Sequence, residues 1–290
     1  MIKAVEAGSV EDRAVGALVG LAVGDALGTS VEFQRRGSFA PVTGMRGGGV
    51  FKMPPGGWTD DTSMALALGE ALLEDRTLQD PATVMNRWVN WWRDGKFSHT
   101  GECFDIGNQT VNALSAWHAS GQLPTQDGWS AGNGGIMRLA PAVLAHLDDL
   151  STACAIAARQ SDFTHRNPLC RQYALDLAAI LIRLIDGISV SVPTEIATRR
   201  ESDVKSTGYV VDTFEAALWA FASEDCFAAT VLRAVNLGDD ADTVGAVAGQ
   251  LAGARYGLSG IPTEWLEVLL WRDEIIAMGR ALCRLSYPAD

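Results

Sequence analysis

The 290-residue chain is short of positive charge: Lys and Arg number 23 against 35 Asp and Glu, a formal net charge of -12 at pH 7. That balance excludes a broad nucleic-acid or anionic-membrane footprint, so any phosphate group must be met by a local site. Cysteine is sparse and odd in number. Cys103, Cys154, Cys170, Cys226 and Cys283 are scattered and form no C-x-x-C pair, which removes the usual zinc and redox motifs; reduced, mostly buried thiols are expected. No H-E-x-x-H, Walker A or strand-linked G-x-G-x-x-G sequence is present, so zinc-protease, P-loop ATPase and dinucleotide-binding readings have no motif behind them. Long hydrophobic runs are missing too. The most apolar early stretch, Val15 to Ala26, is broken by Gly24 and Asp25 and falls short of the roughly 20 residues a bilayer span requires. Glu6, Glu11 and Asp12 precede it where a signal peptide would be basic, so a cytoplasmic protein without a membrane partner is expected.

What is there suits one large core. Hydrophobic residues make up 48% of the chain and charged residues 20%, and the 30 glycines are dispersed through apolar stretches; a single domain over residues 1–290 is expected. Gly16, Gly20, Gly24 and Gly28 recur at helical spacing in a helix expected from Asp12 to Phe33, with small surfaces that let a neighbouring backbone approach. A breaker-rich loop follows from Arg35 to Trp58, long enough to serve as the rim of a site. Further helices are expected at Asp61 to Glu74, Pro81 to Arg93, Gly107 to Ala119, Ala140 to Leu147, Leu150 to Arg159, Leu169 to Asp186, Val211 to Ala222, Asp225 to Val235, Thr243 to Arg255 and Thr263 to Leu285. Alternating Val-Thr-Ile runs are nearly absent, Ile188 to Pro193 being the nearest, so the class is all-α.

Two acidic clusters, Thr59-Asp60-Asp61-Thr62 and Asp239-Asp240-Ala241-Asp242-Thr243, each open a helical stretch. Asp and Thr are good N-caps, and acids in a first turn favour the helix dipole, so either cluster alone reads as structural. Together they read differently, because capping needs one side chain while these segments concentrate acids beside Ala- and Gly-rich helices expected to be buried. A hard divalent cation would compensate them. If the segments meet, Thr59, Asp60, Asp61, Asp240, Asp242 and Thr243 have the oxygen donors for two ions about 3.5–4 Å apart.

The stretch Ser130-Ala131-Gly132-Asn133-Gly134-Gly135, followed by Met137 and Arg138, can present backbone N–H groups to an anion, with Arg138 supplying charge or anchoring the loop; the plain alternative is a helix-to-helix turn. His165 lies in a polar break between helices. Asp105 sits just ahead of a helix, where capping is an equal reading. His99 with Cys103 suggests a thiol nucleophile only weakly, and Trp88, Trp91 and Trp92 read as packing on one helix.

In this order, Gly24-Asp25-Ala26-Leu27-Gly28 with Glu32, Thr59-Asp60-Asp61-Thr62, Asp105-Ile106-Gly107, Gly132-Asn133-Gly134 with Met137-Arg138, and Gly238-Asp239-Asp240-Ala241-Asp242-Thr243 resemble the ADP-ribosylglycohydrolases, nearest to the bacterial branch typified by dinitrogenase reductase-activating glycohydrolase. The resemblance runs from about Arg13 to Gly257 and includes Gly208-Tyr209. It implies a compact all-α domain with a central binuclear Mg²⁺ or Mn²⁺ centre, held by Thr59, Asp60, Asp61, Asp240, Asp242 and Thr243. Glu32 would lie beside the centre and Asp105 would act as acid/base. Ser130, Gly132, Asn133, Gly134, Met137 and Arg138 would form or support a diphosphate loop, and Gly107, Asn108, His165 and Tyr209 would belong to the ADP-ribose cleft. Asp239 stands where that branch often has glycine.

The implied chemistry is hydrolysis of the bond between C1 of the distal ribose and its acceptor, with a carboxylate handling protons near an oxocarbenium-like state. The partner is an ADP-ribosylated protein or a small ADP-ribosyl substrate, and ADP-ribose is the product. Arginine heads the acceptors; serine, an acetyl ester and a nucleobase are alternatives. A non-catalytic ADP-ribose-binding module and a crystallin-like structural relative stay open.

Overall fold

The computed structural model describes residues 6–125 and 129–287. Among these residues the regular structure is helical, with isolated bridges at Gly48–Met53 and Gly132–Tyr209 and no strand. In chain order the helices are α1 (Val10–Gly28), α2 (Asp60–Glu74), α3 (Ala82–Asp94), α4 (Asn108–Ser120), α5 (Gly134–Met137), α6 (Ala140–Leu144), α7 (Leu150–Asp162), α8 (Pro168–Ile185), α9 (Thr194–Ala197), α10 (Val210–Ser223), α11 (Phe227–Val235), α12 (Ala241–Tyr256), α13 (Thr263–Val268) and α14 (Arg272–Ser286). No described helix is long and apolar enough to cross a membrane.

The antiparallel pair of α1 and α12 forms the axis of the fold. Both are buried around almost their whole circumference, as a helix at the centre of a core must be. Gly16, Gly20 and Gly24 meet Gly253, Gly249 and Gly245, and Gly28 meets Ala241. A Cβ on Gly20 would lie 2.2 Å from the Gly249 carbonyl oxygen, so the spacing seen in the sequence allows backbone-to-backbone contact that no larger residue permits. Helices α2 and α14 cover α1, while α8, α10 and α11 cover α12. Outside them α3 packs on α2, α4 on α3, and α7 on α8. Trp88 and Trp91 are buried in this core and Trp92 is half-buried, as the packing reading expects; fully burying a large apolar side chain contributes about 1.5–3 kcal/mol.

The elements differ from the sequence reading where tertiary contacts intervene. The helix expected from Thr263 to Leu285 is interrupted between α13 and α14. There Leu270 N–H donates to the Gly56 carbonyl (3.1 Å), the Trp58 indole N–H donates to the Leu270 carbonyl (3.1 Å), and Trp271 sits at φ +57° with its ring edge-on to Trp58. Helix α1 stops at Gly28, and the chain turns through residues 29–33 to Phe33 at φ +59°. The glycine stretch itself winds into the single turn α5. Of the cysteines, Cys170 and Cys283 are buried, Cys103 and Cys154 are half-buried, and Cys226 is exposed, so burial of the thiols is less general than expected. The long loop before α2 is irregular, as its breakers dictate.

Candidate functional site

Because Gly28 packs on Ala241, the segment leaving α1 lies against the start of α12, which brings Glu32 to Asp240 and Asp242. The first turn of α2 is held there by Asp25 of α1. The buried Asp25 carboxylate accepts from Thr59 N–H (2.9 and 3.1 Å), the Thr59 hydroxyl (3.0 Å), Thr62 N–H (3.1 Å) and the Thr62 hydroxyl (2.6 Å). It therefore does from another helix what an N-cap does from its own. Thr59 makes no side-chain cap bond to α2, nor does Asp240 to α12. The capping reading of the acidic clusters thus gives way. Asp105 is no cap either: Gly107 occupies the N-cap of α4, and Asp105 stands at φ +57° among the carboxylates.

The hydrogen bonding in this cluster is short of protons. The Thr59 hydroxyl oxygen lies 3.0 Å from Asp25 Oδ1, 3.3 Å from Asp242 Oδ2 and 3.5 Å from Asp61 Oδ2, yet has one hydrogen to give. Thr243 Oγ1 reaches Asp61 Oδ2 at 3.4 Å. One oxygen each of Glu32, Asp105 and Asp242 lie within 4.8 Å of one another. Glu32 Oε2 and Asp61 Oδ1 are buried without a hydrogen-bond partner among the described residues.

Burial, reinforced by Asp105, Asp240, Asp60 and Asp25, pushes the Glu32 carboxyl up to about 10. Burial and neighbouring carboxylates likewise push Asp60, Asp61 and Asp242 well above the usual range. Asp240 is raised by burial against the hydrogen bonds it accepts. Asp105 is raised to about 7 and Asp25 to about 6, in both cases by burial first. Hard oxygen donors, orphaned lone pairs and mutual repulsion are what a divalent cation relieves, so the residues present fit one.

Glu32, Asp60, Asp105, Asp240 and Asp242 form one wall of a cavity of about 310 Å³, a volume in the range of ligand pockets, with Asp25 and Asp61 buried outside its lining. The opposite wall is the glycine loop, with Gly132, Asn133, Gly134, Met137 and His165; Gly107 and Asn108 line the cavity at the start of α4. No Lys or Arg is among the lining residues. A groove of about 670 Å³ shares Asn108 and Gln109 with the cavity and carries Ser130.

The loop is fixed from several sides. Gly132 N–H donates to Gln109 Oε1 (3.1 Å), Asn133 N–H to the Gly208 carbonyl (3.2 Å), and the Asn133 amide to Thr213 Oγ1 (2.9 Å) and Asp240 Oδ2 (2.5 Å). The last bond ties the loop to the acidic wall. A Cβ on Gly134 would lie 2.4 Å from His165 Cε1, so glycine lets the loop rest on that ring.

Arg138 turns away from the cavity. Its buried guanidinium lies over the Trp88 ring at 4.0 Å, and it donates to Gln160 Oε1 (3.0 Å) and Thr164 Oγ1 (2.6 Å). Gln160 in turn donates to the Gly135 carbonyl (2.6 Å), so Arg138 anchors the loop from beneath. The same Thr164 hydroxyl lies 2.8 Å from His165 Nδ1, so Arg138, Thr164 and His165 form one connected hydrogen-bonded chain beneath the loop. Burial, with Arg138 nearby, pushes His165 down to about 3, which keeps the ring neutral. Tyr209 pairs with Gly132 through the backbone while its ring is exposed, outside the cavity lining.

All six residues expected as metal ligands are gathered here, together with Glu32 and Asp105. Sequence reasoning missed the positioning work of Asp25, Gln109, Gln160 and Thr213; Asp25 was visible in its motif, but its bonds cross between helices. The Cys103 thiol is pushed up to about 12 by burial and then by Asp60 and Asp105, which disposes of a thiolate nucleophile. Asp239 has φ +55°, the left-handed conformation that glycine adopts most readily.

A helical body that sets carboxylates against a glycine loop across one cleft has the makings of a cation-assisted hydrolase of a phosphorylated glycoside. The comparison with known proteins makes this specific: residues 6–289 match the model of the ADP-ribosylglycohydrolase family, and the chain belongs to that family. It is 42% identical to the ADP-ribosylarginine hydrolase Tri1 of Pseudomonas putida (strain GB-1), over 93% of this chain and 78% of that protein. It is 38% identical to the ADP-ribosyl-[dinitrogen reductase] glycohydrolase of Rhodospirillum rubrum, over 90% of this chain and 91% of the relative. A solved structure described as an ADP-ribosylglycohydrolase-related protein complex superposes with a TM-score of 0.83 at 39% identity, covering 96% of this chain and 99% of that one.

Proposed function

We propose that the chain hydrolyses the bond between C1 of the distal ribose of ADP-ribose and an arginine side chain of a modified protein, releasing ADP-ribose and reversing mono-ADP-ribosylation. The observation that carries the chemistry is the buried carboxylate wall with its orphaned oxygens, facing the glycine loop across one cavity. Arginine as acceptor is supported by the names of the Tri1 relatives, at 42% and 40% identity.

In this reading Thr59, Asp60, Asp61, Asp240, Asp242 and Thr243 hold two divalent cations, Mg²⁺ or Mn²⁺. When bound, these supply electrophilic stabilisation for the ribose hydroxyls and an attacking water. Asp105, which lines the cavity beside Glu32, delivers a proton to the departing guanidine nitrogen. Glu32 positions the water and ribose beside it. The glycine loop of Gly132, Asn133 and Gly134, with Ser130 at the adjoining groove and Arg138 as its anchor, takes the diphosphate through backbone and neutral donors. His165, with Gly107, Asn108, Met137 and Tyr209, completes the ADP-ribose cleft. The 290 residues act as one domain, in the cytoplasm, where the five free thiols remain reduced.

The test is release of free ADP-ribose from arginine-, serine- and acetyl-linked substrates, with added Mg²⁺ or Mn²⁺ and with chelator. Cation-dependent release from the arginine linkage is expected. Binding of ADP-ribose without release from any linkage would overturn the assignment in favour of a reader.

A further inference from the structure

We propose that Phe33 forms an aromatic face on the acceptor side of the cleft that recognises a guanidinium, making it a specificity-determining residue for arginine-linked ADP-ribose. The inference rests on the hydrolase reading above and names the contact that selects its acceptor.

Phe33 follows Glu32 directly, but the two side chains have opposite fates: Glu32 is 2% exposed within the carboxylate cluster and Phe33 is 65% exposed at the mouth of the same cavity. Its backbone lies at φ +59°, a conformation unfavourable for a bulky side chain. The chain is held there by a reciprocal pair: Phe33 N–H donates to the Asp239 carbonyl (2.7 Å) and Asp239 N–H donates to the Gln34 carbonyl (2.8 Å). Asp239 is itself at φ +55°, so two strained residues brace each other across the ends of α1 and α12. Core packing gives no reason for this arrangement, because a largely exposed phenyl ring contributes little burial.

Its surroundings indicate what it meets. The face of an aromatic ring attracts cations, and a planar guanidinium stacks on it. Phe33 lines the cavity with Glu32, Asp60 and Asp105, and no Lys or Arg lines that cavity to repel a cation. Serine and acetyl acceptors offer the ring no cation. Adenine also offers a plane, but Phe33 belongs to the wall of Glu32, whose carboxylate neighbours Asp105 and Asp242. The space for the rest of the nucleotide lies toward Asn108, Gln109 and the adjoining groove.

The experiment compares the cation-loaded full chain with Phe33→Leu, which keeps apolar bulk, and Phe33→Trp, which keeps the aromatic face. Steady-state kinetics on an ADP-ribosyl-arginine substrate are read beside calorimetric affinity for free ADP-ribose. Phe33→Leu is expected to lower kcat/KM by about 2- to 30-fold, the change equivalent to a cation–π contact of about 0.5–2 kcal/mol, with affinity for ADP-ribose unchanged. Phe33→Trp should restore most of the loss. An equal loss of affinity for free ADP-ribose would identify an adenine platform and overturn the proposal, as would unchanged kinetics in Phe33→Leu. Failure of the wild-type chain to cleave the arginine linkage is a separate result, seen before any variant is compared, and it removes the hydrolase reading itself.

Discussion

Gly24 and Gly245 touch backbone to backbone: a Cβ on Gly24 would lie 2.0 Å from the Gly245 carbonyl oxygen, and a Cβ on Gly245 would lie 2.5 Å from that of Gly24. Asp25, one residue on, holds the start of α2, and Asp242 lies one turn before Gly245 on α12. The closeness of the two helices therefore sets the distance between the two acidic motifs. Gly24→Ala places a methyl group against backbone that has no rotamer to yield. Overpacking of this kind typically costs about 1–3 kcal/mol, and denaturant unfolding is expected to show a loss at the upper end. Weaker stabilisation by added Mn²⁺ should accompany it; an unchanged unfolding midpoint would contradict the account.

Asp25 serves α2 without belonging to it. Asp25→Ala leaves Thr59 N–H and Thr62 N–H buried without their acceptor, and each such orphan costs about 1–3 kcal/mol. The variant is expected to unfold at lower denaturant and to release little ADP-ribose even with cation in excess, because Asp60 and Asp61 lose their placement. Asp25→Asn keeps one acceptor oxygen and should fall between wild type and Asp25→Ala. Full activity in Asp25→Ala would show that α2 is positioned by its other contacts.

The acid cluster makes the cation-free protein sensitive to pH in a definite direction. Glu32, ordinarily at 4.5, is raised to about 10, and Asp105, ordinarily at 3.8, to about 7. The folded state thus keeps protons that the unfolded chain releases. Their favourable contribution is complete below the unfolded values and is lost as pH rises through the folded ones. In chelator the melting temperature is expected to fall from pH 5 to pH 8, and saturating Mg²⁺ or Mn²⁺ should flatten that fall. The cation-induced shift should then grow with pH. A chelated protein equally stable across this range would mean that the carboxylates are not repelling one another.

Gly134 and His165 test the opposite wall. A Cβ at Gly134 would overlap the imidazole at 2.4 Å, so Gly134→Ala must move the loop or the ring. Because Thr164 and Arg138 pin the ring, the loop is expected to give way, raising KM for the substrate about tenfold or more, with melting temperature little changed. An unaltered affinity for free ADP-ribose would place the diphosphate elsewhere.

Much of this was legible in the sequence. The glycines of α1 announced a close helix neighbour, the scarcity of alternating Val-Thr-Ile runs announced an all-helical body, and the ordered acidic motifs announced the family. These are local or periodic properties, and a linear reading preserves them. What it does not preserve is which side chain serves which backbone. Thr59 looked like the cap of its own helix, but the bonds come from Asp25, 34 residues earlier. Arg138 could supply charge to a phosphate or anchor its loop, and stacking on Trp88 with bonding to Gln160 decides for the anchor. The break before Trp271 arises because Gly56 and Trp58 claim the backbone of Leu270. The sequence determined the helices, their small-residue seam and the oxygen donors, since composition and period specify them. Tertiary structure alone decided that the donors converge in one buried wall, because hydrogen bonds and packing between distant segments carry no mark in the order of residues.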